Sequence, residues 1–187
     1  MKIITGTARG CSLITLEGEA TRPTLQRAKE TVFSAIQFEI EGRAVLDLFA
    51  GSGQMGLESL SRGASNAVFC DLSEEATEII KQNAMKTKLY SKCKIMRLDY
   101  KEYIRAASNS KRKFGIVFLD PPYASDFLSD ALIRIYKADL LEDEAIILCE
   151  TENGDFLTEN PDVTELYEEV KTYKCGRIYY YRLKKKS

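Results

Sequence analysis

Residues 45–64 read VLDLFAGSGQMGLESLSRGA, and the fold turns on how this stretch is parsed. Residues 44–49 are apolar apart from Asp47, which is the pattern of a strand covered on both faces. The strand runs into Gly51, Gly53 and Gly56, and residues 54–61 read as the helix that follows. Glycines at such a turn let the backbone come close to a ligand, and the start of a helix offers unpaired amides. Strand, glycine-rich turn and helix make the opening unit of an open α/β sheet.

Working outward, the same alternation continues. Strands are predicted at 67–70, 94–98, 116–119 and 145–149, with helices at 73–85, 100–107 and 126–136. Ser73, followed by Glu74 and Glu75, has the form of a helix N-cap with acids in the first turn. Apolar strands separated by crossover helices specify a doubly wound, Rossmann-like α/β sheet. Residues 166–174 and 177–183, joined at Cys175-Gly176, read as an antiparallel hairpin closing a seven-stranded, mostly parallel sheet. Before the sheet, residues 2–5 and 12–16 suggest a small β-hairpin, and 24–38 an amphipathic helix. Residues 1–40 are too few for a core of their own and should pack as an extension on 41–187 within a single domain.

Composition narrows the chemistry. The chain has no histidine, which removes Ser-His-Asp and Cys-His catalysis and histidine-bound zinc. Its five cysteines are scattered without a CxxC pair, the pattern of free thiols and no metal site. No run is apolar enough to span a bilayer and no signal-peptide pattern opens the chain, so a cytoplasmic protein without membrane attachment is expected, by default a monomer. The net charge of −1 hides a segregation: eleven Lys/Arg against two acids from Lys81 to Lys113, and twelve Asp/Glu with no Lys/Arg from Asp139 to Val170. Such a sequence permits a basic face for a polyanion and an acidic face turned away. Solvated helix faces are the plainer reading.

Four successive strands carry Asp47, Asp71, Asp99 and Asp120 at or near their carboxyl ends, along the crevice where open α/β sheets bind ligands. Asp71 lies about twenty residues beyond the glycines, where an acid holds ribose hydroxyls. Phe49, Ser52, Leu72 and Tyr100 flank these positions and complete the candidate cofactor set with Gly51 and Gly53. An acid just before the glycine turn suits a cationic ligand better than a diphosphate, which points to S-adenosylmethionine. Directly behind the fourth strand stand Asp120, Pro121, Pro122 and Tyr123. The prolines stop the strand and hold their neighbours rigid. An exocyclic amine is a poor nucleophile until acceptors fix its N–H bonds, and the Asp120 carboxylate with the Pro121 carbonyl supplies two. Tyr123 offers a face on which a base stacks.

"DLFAGSG", Asp71, Asp99 and "DPPY" together resemble a class I methyltransferase acting on an exocyclic amine of a base. "ITGTARG", "TRPTLQRAKETVFSAI", "VLDLFAGSGQMGLESLSRGA" and "VFLDPPY" are similar, more closely, to the RsmD family of small-subunit ribosomal RNA guanine-N2 methyltransferases. The chain departs from that family at Gly115, where an Asp is common, and at Gln54-Met55, where an Ala-Leu type pair is common. The resemblance implies transfer of a methyl group from S-adenosylmethionine to guanine N2, with ribosomal RNA or its assembling particle as partner. It also implies an RNA-contacting role for Arg9, Arg22, Thr24 and Arg27 in the extension. Arg27 and Lys29 read equally as a solvated helix face pairing with Glu30. An adenine-N6 or cytosine-N4 methyltransferase, or a silent RNA-binding module, fits the same residues.

Overall fold

The computed structural model describes residues 1–16, 23–122 and 126–186, with the side chains of 23–26 outside the description. Arg22, Tyr123 and the side chain of Thr24 therefore lie outside the described residues.

After helix α1 (Pro23–Ala35), strands β1 (Ala44–Leu48), β2 (Asn66–Asp71), β3 (Cys93–Arg97) and β4 (Phe114–Leu119) alternate with helices α2 (Gln54–Ser61), α3 (Glu74–Lys86) and α4 (Tyr100–Asn109). Helix α5 (Phe127–Lys137), strand β5 (Leu141–Thr151), the short helices α6 (Phe156–Glu159) and α7 (Pro161–Leu166), and strands β6 (Tyr167–Cys175) and β7 (Ile178–Lys185) complete the order. The seven strands form one sheet in the order β3-β2-β1-β4-β5-β7-β6. The first five are parallel, and β7 joins β5 and β6 antiparallel. The strand order reverses between β1 and β4, so the carboxyl ends of those strands open the crevice of the fold.

Both faces of the central strands β1, β2 and β4 are buried, which is why they carry nearly continuous apolar runs. Val45, Ile116 and Phe118 point to the side of α1, α2 and α3 and meet Val32, Phe33, Leu57 and Ile80. Their chain neighbours Leu46, Val117 and Leu119 point the other way, onto Tyr103, Ile104, Leu132 and Ile135 of α4 and α5. Gly56 lets α2 lie directly on β2: a Cβ there would fall 2.3 Å from Phe69 Cε1.

Strand β5 starts four residues before its predicted position. The early start pairs Leu141 with Phe114, ahead of a register shift at Gly115. Arg43 Nη1 donates to the Gly115 carbonyl at 3.1 Å and to that of Glu144 at 2.6 Å, tying β4 to the start of β5 across a register shift. A Cβ at position 115 would sit 2.6 Å from Glu142 Oε2 and 2.9 Å from Arg43 Cδ. A larger residue there would require the Glu142 and Arg43 side chains to shift. Helices α6 and α7, of four and six residues, are too short for periodicity to reveal.

The predicted N-terminal hairpin is reduced to one bridge, Lys2 to Ser12. Side chains of the core take the donors that a longer ladder would use. Ile4 N donates to Glu58 Oε2 at 2.7 Å, Thr5 N to Glu58 Oε1 at 3.1 Å and Ala8 N to Ser61 Oγ at 2.9 Å. Asn83 accepts from Ile14 N and donates to the carbonyls of Ile14 and Ser52, so one α3 side chain holds both the extension and the glycine turn. Glu58 is buried and paired with Arg62 at 2.7 Å, which satisfies its charge.

Candidate active site

A cavity of about 480 Å³ opens at the carboxyl ends of β1, β2, β3 and β4. Asp47, Asp71, Asp99 and Asp120 all line it, as do Phe49, Gly51, Ser52, Leu72 and Tyr100, and Pro121 and Pro122 form part of its wall. Of the predicted cofactor residues only Gly53 stands back. It is the N-cap of α2 with φ +77°, a conformation that favours glycine.

The acids at the strand ends also hold the turns that follow them. Asp47 Oδ2 accepts from Gly56 N at 2.9 Å, which fixes α2 to β1. Asp71 takes Gly51 N at Oδ2 and Ser73 N at Oδ1, each at 2.9 Å, and so joins the glycine turn to the start of α3. Asp99 caps α4 through Lys101 N at 2.8 Å. An ionised carboxylate has about four acceptor positions, more than the backbone contacts of Asp71 and Asp99 use.

Aromatic rings form one end of the cavity. Phe49 has φ +68°, uncommon for a residue with a Cβ, and this turns its ring toward Tyr100 at 5.1 Å and onto Phe127, stacked at 6.4 Å. The Tyr100 hydroxyl donates to Asp130 Oδ2 at 2.7 Å, and burial together with that bond raises its pKa. Burial opposes ionisation of Asp130, yet hydrogen bonds from Arg134 and Tyr100 outweigh it and hold the carboxyl below its usual range. Cys70 reaches the cavity as an inert thiol: burial first, then the charges of Asp71 and Asp99, push it up to about 12. All five cysteines are free.

Sequence reasoning missed Phe127, Gln54 and Lys29. Lys29 is buried, not a solvating residue of α1, and its Nζ donates to Gln54 Oε1 at 2.6 Å on the cavity wall. The signal was its spacing. Ala28, Val32 and Phe33 form the buried stripe of α1, continued by Ile36 just beyond its end, and Lys29 falls within it. Arg9 and Arg27 are exposed and do not line the cavity.

The charge segregation also resolves differently in space. Lysines of β7 lie beside acids from two places, with Lys184 paired to Glu168 of β6 at 3.3 Å and Lys185 to Asp139, between α5 and β5, at 3.7 Å. Basic residues keep a shared surface on α4 and α5, where Lys101, Arg105, Arg134 and Lys137 line a shallow groove. Among the described residues no group of three or more Cys, Asp or Glu is placed to hold a metal ion, and no helix is long and apolar enough to cross a membrane.

A cavity of this size at the strand-order reversal, with aromatic rings for a purine and acids for hydroxyls and a cationic tail, fits a nucleoside with a charged side arm. The fold and this site define a class I, S-adenosylmethionine-dependent methyltransferase. Residues 1–182 match the family described as Conserved hypothetical protein 95. The chain is 32% identical over 180 residues to "Ribosomal RNA small subunit methyltransferase D" of Haemophilus influenzae, covering 96% of this chain and 93% of that one. It is 36% identical over 150 residues to the Bacillus subtilis protein YlbH, covering 80% and 82%. The solved structure of yhhF from Escherichia coli superposes with a TM-score of 0.83 at 26% identity, covering 100% of this chain and 98% of that one. The chain belongs to this family, that of ribosomal RNA small subunit methyltransferase D. Its cofactor is S-adenosylmethionine.

Proposed function

We propose that this protein methylates the exocyclic N2 amine of a guanine in small-subunit ribosomal RNA, acting as a monomer in the cytoplasm on the RNA or its assembling particle. The observation that carries the reading is that Asp120, Pro121 and Pro122 share one cavity with Asp47, Asp71 and Asp99. An amine acceptor set and a nucleoside acceptor set thus face the same space. The names of the relatives point to small-subunit ribosomal RNA as the substrate class.

Asp71 holds the ribose hydroxyls, Asp47 and Asp99 complete the polar wall, and Phe49 with Tyr100 and Leu72 covers the adenine. Gly51, Ser52 and Gly53 shape the turn beside them. Bound there, S-adenosylmethionine supplies an electrophilic methyl group on sulfur. The chain's own work is alignment. Asp120, exposed at the end of β4, accepts one N–H of the target amine and the carbonyl of buried Pro121 accepts the other, which turns the nitrogen lone pair into the cavity. Pro121 and Pro122 keep those acceptors still, and Tyr123 stacks on the base. As the amine gains positive charge it becomes acidic, and Asp120 or water takes the proton. Arg9, Arg22, Thr24 and Arg27 position the RNA through its phosphates, with the 1–40 extension as their platform.

Mass spectrometry of nucleosides from small-subunit ribosomal RNA, with and without this gene, tests the proposal. One N2-methylguanosine should disappear with the gene and return with the purified protein. Loss of N6-methyladenosine or N4-methylcytidine instead would overturn the choice of base while keeping an amine as acceptor. An unchanged nucleoside profile would overturn the substrate class.

A further inference from the structure

Lys29 is the one cation among the described residues that line the cavity, against four carboxylates. It is only 8% exposed, and none of the described residues forms an ion pair with it. Its ammonium has three donors. One goes to Gln54 Oε1 at 2.6 Å and one to Met1 Sδ at 3.6 Å, both neutral acceptors. Burying a cation against neutral groups is costly unless an anion completes the arrangement. S-adenosylmethionine brings one anion, the carboxylate of its amino-acid end. Its sulfonium and ammonium groups suit the surrounding acids, and its carboxylate suits none of them.

The position supports the match. Gln54 is the first residue of α2, directly after the glycine turn, where a helix start favours negative charge. We propose that Lys29, with Gln54, forms the subsite for the carboxylate of the cofactor's amino-acid end. Lys29 belongs to α1, so loading the cavity also fastens that helix to the glycine turn. Cofactor binding and docking of α1 are then one equilibrium. The inference rests on the cofactor and not on which base is methylated, so it stands or falls apart from the RNA reading.

Calorimetry on the full chain decides it with two ligands, S-adenosylhomocysteine and methylthioadenosine, which share the nucleoside and the sulfur but differ in the amino-acid end. Lys29→Met should weaken S-adenosylhomocysteine by about tenfold or more, the value of a charged hydrogen bond, and leave methylthioadenosine within about twofold. Lys29→Arg should fall between. Equal loss for both ligands, or no loss for either, overturns the subsite. A ligand-side measurement needs no variant: the carboxamide of S-adenosylhomocysteine should bind the unaltered protein about tenfold more weakly than the acid, and equal binding overturns the proposal. Amide exchange reads the coupling, since S-adenosylhomocysteine should slow exchange across α1 and methylthioadenosine should not. Equal protection by the two ligands removes Lys29 from the link.

Discussion

Replacing Asp71 with Ala removes two kinds of contact at once, and the structure lets them be separated. In the protein as it stands the carboxylate accepts Gly51 N and Ser73 N, each at 2.9 Å. Hydrogen bonds to a charged acceptor contribute about 1.5–3 kcal/mol each when well buried, and Asp71 is half-exposed, so the pair should be worth about 2 kcal/mol. For a chain of this length that corresponds to a fall in Tm of roughly 4–8 °C. The ribose contact adds its own loss, about 1–3 kcal/mol of cofactor affinity, or roughly fivefold to 150-fold in Kd. Asp71→Asn keeps one acceptor oxygen and should show about half of each effect. Thermal melts without ligand and calorimetry with S-adenosylhomocysteine read the two numbers independently. A lowered Tm with unchanged affinity would make Asp71 a turn anchor alone, and wild-type values in both assays would refute the geometry argued for the whole turn.

Three other perturbations probe different parts of the account. Gly56→Ala would place a Cβ 2.3 Å from Phe69 Cε1 and should cost about 1–3 kcal/mol of stability, seen as a lower urea midpoint with unchanged slope. A wild-type midpoint would mean that α2 can lift from β2 freely. Arg9→Ala with Arg22→Ala should weaken RNA binding and lower the slope of log K against log salt by about one to two, while cofactor affinity holds; an unaltered slope would strip the extension of its proposed role. Cys70, with its thiol raised to about 12, is protonated at pH 8 and should resist maleimide in the folded protein, becoming reactive only in denaturant. Rapid native labelling of Cys70, read by peptide mass spectrometry, would contradict its burial.

The fold could be read where each strand announces itself. The apolar runs of β1 and β4 need covering on both faces, and only crossover helices provide that. The acids were legible because they interrupt or end those runs: Asp47, Asp71, Asp99 and Asp120 are polar residues where burial is about to cease. Lys29 was legible only in part: its spacing sets it on the buried stripe of α1, but the bond to Gln54 that gives it a place at the cavity belongs to tertiary structure. The N-terminal ladder was overestimated since its donors are claimed by Glu58, Ser61 and Asn83, whose approach belongs to tertiary structure. Charge along the chain left its two readings open for a similar reason. The acids of residues 139–170 and the lysines near the C-terminus face each other only once β6 and β7 pair.

The central claim is that Asp120 aligns the amine and the other acids hold the cofactor. Single-turnover methylation of small-subunit ribosomal RNA or particles with radiolabelled cofactor, run on Asp120→Ala beside calorimetry with S-adenosylhomocysteine, tests it most directly. Alignment at the reacting atom carries most of the rate, so methyl transfer should fall by several orders of magnitude while cofactor affinity stays within about threefold of wild type. An Asp120→Ala protein that methylates at near wild-type rate would contradict the account and leave the Asp-Pro-Pro-Tyr segment a strand stop.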